Sequence, residues 1–347
     1  GGLDEICKEL SQTNKVTSVY HELVKSTFMQ YKYTEHFGVE DIKNFRISLH
    51  EIAQNNVTAE ADDKTNLLVT NAVMRLGNIT NDMPRINILG AKGSGKTYLY
   101  KQMMAAQTWN EFINIASGHM DNESEILICP VLCSEDRSKF ISRCNESIHA
   151  IHIEEDMLSV NEQLVKKAVN DKLTENDWTS LWEHMIWDKF ENVSNWNDLE
   201  NYLQSIDKKI VFILFSAVIE ENVGKAGIKS ICRNVMNHIN EYQLENVGMI
   251  IFLRKDIAEL AMDVNFEQFR NQYQSYELNW SQTDALKLAW KLAENAAENI
   301  GLKLTDDKEN VPVYNLSAET VENNLNRLWG KKMGPDGSKT AGTIRWV

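Results

Sequence analysis

The sequence predicts an α/β protein with a doubly wound, mainly parallel sheet and a helical region at each end of the chain. Three observations predict it. Short apolar runs alternate with helix-patterned stretches between residues 84 and 280, as strands joined by helical crossovers do. Two runs, Ile210-Val211-Phe212-Ile213-Leu214-Phe215 and Val247-Gly248-Met249-Ile250-Ile251-Phe252-Leu253, are apolar almost throughout, as strands covered on both faces must be. A third run, Ile86 to Leu89, feeds a glycine-rich loop and then a stretch free of Gly and Pro.

Residues 1–80 read as a helical N-terminal region. Ile6, Leu10, Val16, Val19, Tyr20, Leu23, Val24 and Phe28 recur at three- and four-residue steps, the helical period. Phe45, Leu49 and Ile52 share a face of a second stretch, and Leu67, Leu68, Ala72, Val73 and Leu76 mark a third. No phosphate or metal motif lies here; a helical cap or interaction module fits. Residues 81–280 form the α/β domain. Gly77 to Pro84 is turn-rich, Ile86 to Leu89 a strand, Ile126 to Leu132 a second strand, and Ile148 to Ile153 a short strand or loop edge. A helical insertion spans about 158–203 and carries Trp178, Trp182, Trp187 and Trp196. The four-residue step from Trp178 to Trp182 makes an aromatic face, read as core and not as a base-stacking platform. After the strand at 210–215 comes a helix over Ala226 to Asn240, then the strand Val247 to Leu253 and a short one at Tyr276 to Leu278. Residues 281–347 are a helical C-terminal region. Ser281 is an N-cap with Asp284 three residues on, Gly301 a C-cap glycine, and Ala318 to Trp329 a final helix.

The chemistry concentrates at Gly90-Ala91-Lys92-Gly93-Ser94-Gly95-Lys96-Thr97. This is G-x-x-x-x-G-K-[ST], the P-loop or Walker A pattern, in its required context of strand before and helix after. Glycines let the backbone turn tightly and aim successive N–H groups at phosphate oxygens. The helix that opens after them presents its positive end. Gly90, Lys92, Gly93, Ser94, Gly95, Lys96 and Thr97 are therefore the predicted nucleotide-binding residues, with Lys96 on the β- and γ-phosphates and Thr97 on Mg²⁺. The fold class becomes that of a P-loop NTPase, with ATP and Mg²⁺ as ligands. No clear N-K-x-D guanine-recognition motif occurs, which favours ATP over GTP.

A hydrolase of this type places an acid at the end of a second core strand, to orient the metal through water. The strand at 210–215 suits that role, but Ser216 follows it. Glu220 and Glu221 come next, and Glu154-Glu155-Asp156 is a second acidic source. Two readings stand: a site that binds nucleotide and turns it over slowly or not at all, or a site completed by Glu220 or by a carboxylate at 154–156. Loss of a metal's outer-shell partner costs about 10–100-fold. Arg254 ends the strand at 247–253 at the edge where ligands bind. It is a candidate γ-phosphate contact, or a surface Arg paired with Asp256 or Glu259. Lys96, Glu220 and Arg254 are the candidate catalytic residues; Arg233, Arg270 and Arg327 are further arginines that nothing in the sequence ranks.

Composition narrows the function classes. A net charge of −14 argues against a general nucleic-acid-binding surface. Five cysteines, Cys7, Cys129, Cys133, Cys144 and Cys232, form no C-x-x-C pair and read as free thiols in a reducing compartment. No signal peptide pattern is visible and no apolar run approaches the ~18 residues of a membrane span, so a cytoplasmic location is expected.

With these residues in hand, the chain resembles bacterial P-loop ATPases of the STAND and AAA+-related kind, found in signalling and anti-phage defence and often labelled ParA-like. The matching pieces are Ile86 to Leu89 with Gly90 to Thr97, the strand Ile210 to Phe215, and Ile250-Ile251-Phe252-Leu253 ending in Arg254-Lys255-Asp256. Asn279-Trp280-Ser281 and Arg327-Leu328-Trp329-Gly330-Lys331-Lys332-Met333-Gly334 look similar to the C-terminal part of such proteins. The resemblance spans about 84–335 and implies an ATP-driven switch, read by a protein partner or by self-association, with Arg254 at an arginine-sensor position. Ser216 departs from the family pattern. The alternative is an ATP-binding scaffold without turnover whose helical N-terminal region holds a protein partner; a small-molecule kinase is a third reading.

Overall fold

The computed structural model describes residues 38–55, 69–78, 83–106, 108–117, 125–132, 156–215, 223–304 and 313–329. The chain divides into two compact units, one spanning 63–279 and one that joins the chain up to Asp62 with the chain from Trp280 onward. In chain order the main elements are α1 (Val39–Asn55), α2 (Asn71–Gly77), β1 (Arg85–Gly90), α3 (Lys96–Ala106), α4 (Trp109–Ser117) and β2 (Ile126–Pro130). Then come α5 (Asp156–Asp171), α6 (Glu175–Trp187), α7 (Trp196–Ser205) and β3 (Lys209–Leu214). A helix follows in three parts: α8 (Lys225–Lys229), a π-helical turn (Ser230–Val235) and α9 (Met236–Glu241). The last group is β4 (Val247–Arg254), α10 (Lys255–Met262), α11 (Phe266–Tyr273), β5 (Glu277–Leu278), α12 (Gln282–Glu298) and α13 (Ala318–Trp329).

The unit at 63–279 holds a five-stranded sheet in the order β2-β3-β4-β1-β5, and every pairing is parallel. Residues 210–214 and 247–253 are buried without exception, because helices cover both faces of such a sheet. The apolar runs expected at 86–89, 126–132, 210–215, 247–253 and 276–278 all contain strands of this sheet. β2 stops at Pro130, after which Val131 and Leu132 bend while remaining buried.

The order matters for function. The chain leaves β1 for the far edge at β2, returns strand by strand through β3 and β4, and then passes β1 to reach β5. The crossover out of β1 therefore runs opposite to those from β2 to β3 and β3 to β4. With right-handed connections, the two sets of helices lie on opposite faces. A reversal of this kind opens a crevice at the carboxyl ends of the strands.

Two of the aromatic groups in the core bear on the site and on the helical spacing. Trp178 and Trp182 stack at 5.4 Å, with exposures of 3% and 0%, so this face is core, as the helical spacing predicts. Tyr100 of α3 stacks on Phe215 at 4.7 Å, and both meet Phe252 of β4 edge-on. That second cluster ties the helix after the glycine-rich loop to the ends of β3 and β4.

In the other unit, α1 runs beside α12. Leu286 and Trp290 of α12 and Val321 and Leu325 of α13 form a core of their own, with Leu304, Val313 and Leu316 packed around it. The N-cap at Ser281 is present: its hydroxyl accepts from Asp284 N at 3.1 Å while the Asp284 carboxylate accepts from Ser281 N at 3.1 Å. Gly301 takes φ +73°, the left-handed geometry of a C-terminal glycine.

Candidate functional site

β1 carries the chain to Gly90 at the carboxyl edge, between β4 and β5. Gly90 lies opposite Arg254 of β4 on one side and Leu278 of β5 on the other. A Cβ at Gly90 would fall 2.2 Å from Ser94 Oγ and 3.2 Å from Ser94 Cβ, so a side chain at residue 90 would force Ser94 to turn away or the loop to shift. Ser94 N donates to Ala91 O at 3.2 Å and closes the turn. Gly93 and Gly95 take φ +83° and +91°, a region costly for residues with a Cβ. α3 then starts at Lys96. The first N–H groups of a helix have no intrahelical acceptor, so the amides at the start of α3 face the loop.

Lys96 is 7% exposed, and its Nζ donates to Gly90 O and Ala91 O, each at 3.0 Å. The ammonium is thus held at the root of the loop. Lys92 and Gly93 are exposed at its tip, and Ser94, Gly95 and Thr97 are half-buried. The loop brings together backbone donors, a helix N-terminus and a fixed cation, a combination suited to phosphate oxygens.

Arg254 closes β4 and serves as the N-cap residue of α10. Its guanidinium forks the Asp256 carboxylate, Nε to Oδ1 at 3.1 Å and Nη2 to Oδ2 at 2.6 Å. That hydrogen bond and charge hold the Asp256 carboxyl below its ordinary range. Both sequence readings of Arg254 therefore meet at one place: it stands in register with the first loop glycine, and it is paired with Asp256. Lys255 reaches Glu277 of β5, with Nζ to Oε1 at 2.5 Å, and Arg270 Nε lies 3.6 Å from Glu277 Oε2. Burial alone would raise the Glu277 pKa; Lys255 outweighs it, with Asn279 and Arg270, and the net shift is downward. Nothing in the sequence around Glu277 or Lys255 marks this pair, because it depends on the strand order.

Ser216, Glu220, Glu221, Glu154 and Glu155 lie outside the described residues. Phe215, the last one described before Ser216, is buried against Tyr100, so β3 delivers the chain to the flank of α3. Arg233 is exposed on the π-helical turn, and Arg327 belongs to α13 in the other unit. Cys129 and Cys232 are buried free thiols. Burial pushes Cys129 up to about 12 and Cys232 higher still, so neither is a ready nucleophile or metal ligand. Cys7, Cys133 and Cys144 fall outside the described residues. Among those described, no group of three or more His, Cys, Asp or Glu side chains could hold a metal ion, and no helix is long and apolar enough to cross a membrane.

Sequence reasoning also missed a polar node beneath the loop. Asn87, fully buried in the middle of β1, donates from Nδ2 to Cys232 O at 3.3 Å. That carbonyl belongs to the π-helical turn, where the backbone register shifts. Beside it, Thr179 and Ser230 hydroxyls pair at 2.9 Å, and Trp182 Nε1 donates to Gly227 O at 3.0 Å.

No family model, no curated protein and no solved structure matches this chain.

Proposed function

We propose that this chain is an ATP-binding switch protein of the cytoplasm, a Mg²⁺-dependent ATPase of slow turnover, that changes conformation or assembles in response to bound nucleotide. The observation that carries the proposal is the Gly90–Thr97 loop. It combines the full P-loop pattern with positive φ at Gly93 and Gly95, a buried Lys96 at its root and a place at the carboxyl end of a strand flanked on both sides.

The residues present suit the ligands. Backbone amides at the loop and at the start of α3 would take the β- and γ-phosphate oxygens, with Lys96 beside them. Mg²⁺ is held largely by phosphates and water with one or two protein oxygens, so the Thr97 hydroxyl suffices without a cluster of acids. Bound Mg²⁺ supplies neutralisation of the charge that develops between the β- and γ-phosphates. Arg254, in register with Gly90, would contact the γ-phosphate once released from Asp256. The second reading, binding without turnover as a scaffold for a protein partner, is favoured by Ser216, which follows β3 where a hydrolase of this type carries an acid.

The test is single-turnover conversion of ATP by the purified chain, with Mg²⁺ and with EDTA, beside Lys96→Ala. We expect Mg²⁺-dependent ADP formation in the parent, and loss of nucleotide binding in Lys96→Ala with an unchanged far-ultraviolet dichroism spectrum. A variant that binds ATP·Mg²⁺ as tightly as the parent overturns the proposal. Tight binding without ADP selects the scaffold reading. Ser216→Asp should raise turnover if β3 carries the metal-orienting position.

A further inference from the structure

β4 and β5 flank β1 on opposite sides, so the bond from Lys255 to Glu277 passes across the end of the strand that feeds the loop. Glu277 lies opposite Leu89, one residue before Gly90. Its side chain is 2% exposed, against 34% for Lys255 and 34% for Arg270. A carboxylate is costly to bury, and this one sits between two cations from two different helices, α10 and α11.

Lys255 directly follows Arg254. It opens α10, and Arg254 caps the same helix with extended backbone at φ −69° and ψ 135°. Pinning Lys255 therefore pins the backbone from which the Arg254 side chain departs. The fork partner of the Arg254 guanidinium, Asp256, stands nearer solvent: its side chain is 60% exposed. The two acids thus have separate effects. Asp256 parks the guanidinium, and Glu277 adds to the β1–β4 ladder in fixing the base of the residue that carries it. A γ-phosphate at the loop competes with Asp256 for the guanidinium. That exchange is specific only if the backbone of Arg254 keeps its distance from Gly90 while the side chain swings.

We propose that Glu277 is a positioning residue that, through Lys255, sets Arg254 to distinguish a nucleoside triphosphate from a diphosphate. This rests on the nucleotide-binding reading given above. Arg254 is the group that touches the ligand; Glu277 does not touch it.

The experiment measures binding of ADP and of a non-hydrolysable ATP analogue, each with Mg²⁺, to the full chain by calorimetry. It compares the parent with Arg254→Ala, Glu277→Gln and the double variant. The parent should prefer the ATP analogue. That preference should fall about tenfold in each single variant, the worth of one charge-assisted hydrogen bond, while ADP affinity stays within about twofold because ADP never reached Arg254. The double variant should be no worse than Arg254→Ala, since both act through one contact.

A preference unchanged in Glu277→Gln overturns the inference, and so does an equal loss for both nucleotides, which is what a merely structural role produces. Should Glu277→Gln fail to fold, Lys255→Met breaks the same bond from the half-exposed side, and an unchanged preference there overturns it equally. A parent that binds neither nucleotide removes the proposed function together with this inference. A parent that binds both, with no variant altering their ratio, removes this inference and leaves nucleotide binding standing.

Discussion

Lys189 comes just after the last turn of α6 and is 4% exposed, yet its Nζ has no hydrogen-bond partner among the described residues. Burial pushes its pKa down, against the opposing influence of Cys129 and Asp188. An unsatisfied buried donor costs about 1–3 kcal/mol, more when charged. Met matches the length of the lysine stem without the amine. We therefore expect Lys189→Met to stabilise the fold by about 1–3 kcal/mol at neutral pH, measured by denaturant unfolding. The sign of the pH dependence follows from linkage. A lysine whose native pKa lies below its unfolded value binds fewer protons when folded, so its penalty is fully present below the native pKa and is relieved as pH rises towards the unfolded value. The advantage of Lys189→Met over the parent should shrink when the measurement is repeated near about pH 10. An advantage that grows with pH, or a variant less stable than the parent, contradicts this account of Lys189.

Gly227 tests the packing of α8 against α6. Two effects compete there. Replacing a helical Gly by Ala gains about 1 kcal/mol of helix propensity. Against this, a Cβ at Gly227 would lie 2.4 Å from Val223 Cγ1 and 2.9 Å from Trp178 Cδ2. The valine methyl can rotate away, but the Trp178 ring is held in its stack on Trp182, so the helix must shift. Overpacking of this kind costs about 1–3 kcal/mol. Gly227→Ala should accordingly lower Tm, whereas a variant as stable as the parent would mean the helix moves freely on α6. The same pair of elements shows what the sequence could and could not reveal. The Trp178–Trp182 step predicts a buried helix face, because one residue's neighbours four positions away suffice. The π-helical turn at Ser230–Val235 leaves no such mark: its residues read as ordinary helix, and its carbonyl partner Asn87 lies 145 residues away. The strands were legible because each is a run of contiguous apolar residues. The loop at Gly90–Thr97 was legible because its backbone demands glycine at fixed steps. The link from Lys255 to Glu277 was not, since it exists only once β4 and β5 stand on either side of β1.

At the scale of the molecule, the loop and the second apolar core belong to different compact units. Every described loop residue lies within 63–279, while Leu286, Trp290, Val321 and Leu325 lie in the other unit. A chain with two cores need not unfold as one two-state system, and a ligand stabilises only what it binds, by RT ln(1 + [L]/Kd). On the proposed reading, ATP·Mg²⁺ at about a hundred times its Kd would add about 2.7 kcal/mol to the unit at 63–279. Truncating a buried tryptophan costs about 3–5 kcal/mol, and Trp290, 2% exposed, places that loss in the other unit. Scanning calorimetry of the full chain should then resolve two responses. Nucleotide should move the transition of the sheet-bearing unit upward, and Trp290→Ala should move the other downward, each leaving its counterpart within a degree or so. A Lys96→Ala chain should lose the nucleotide-dependent shift and keep the sensitivity to Trp290. If a single transition moves with both perturbations, the two cores unfold together, and the free energy of nucleotide binding is then delivered to the whole chain, including α1, α12 and α13.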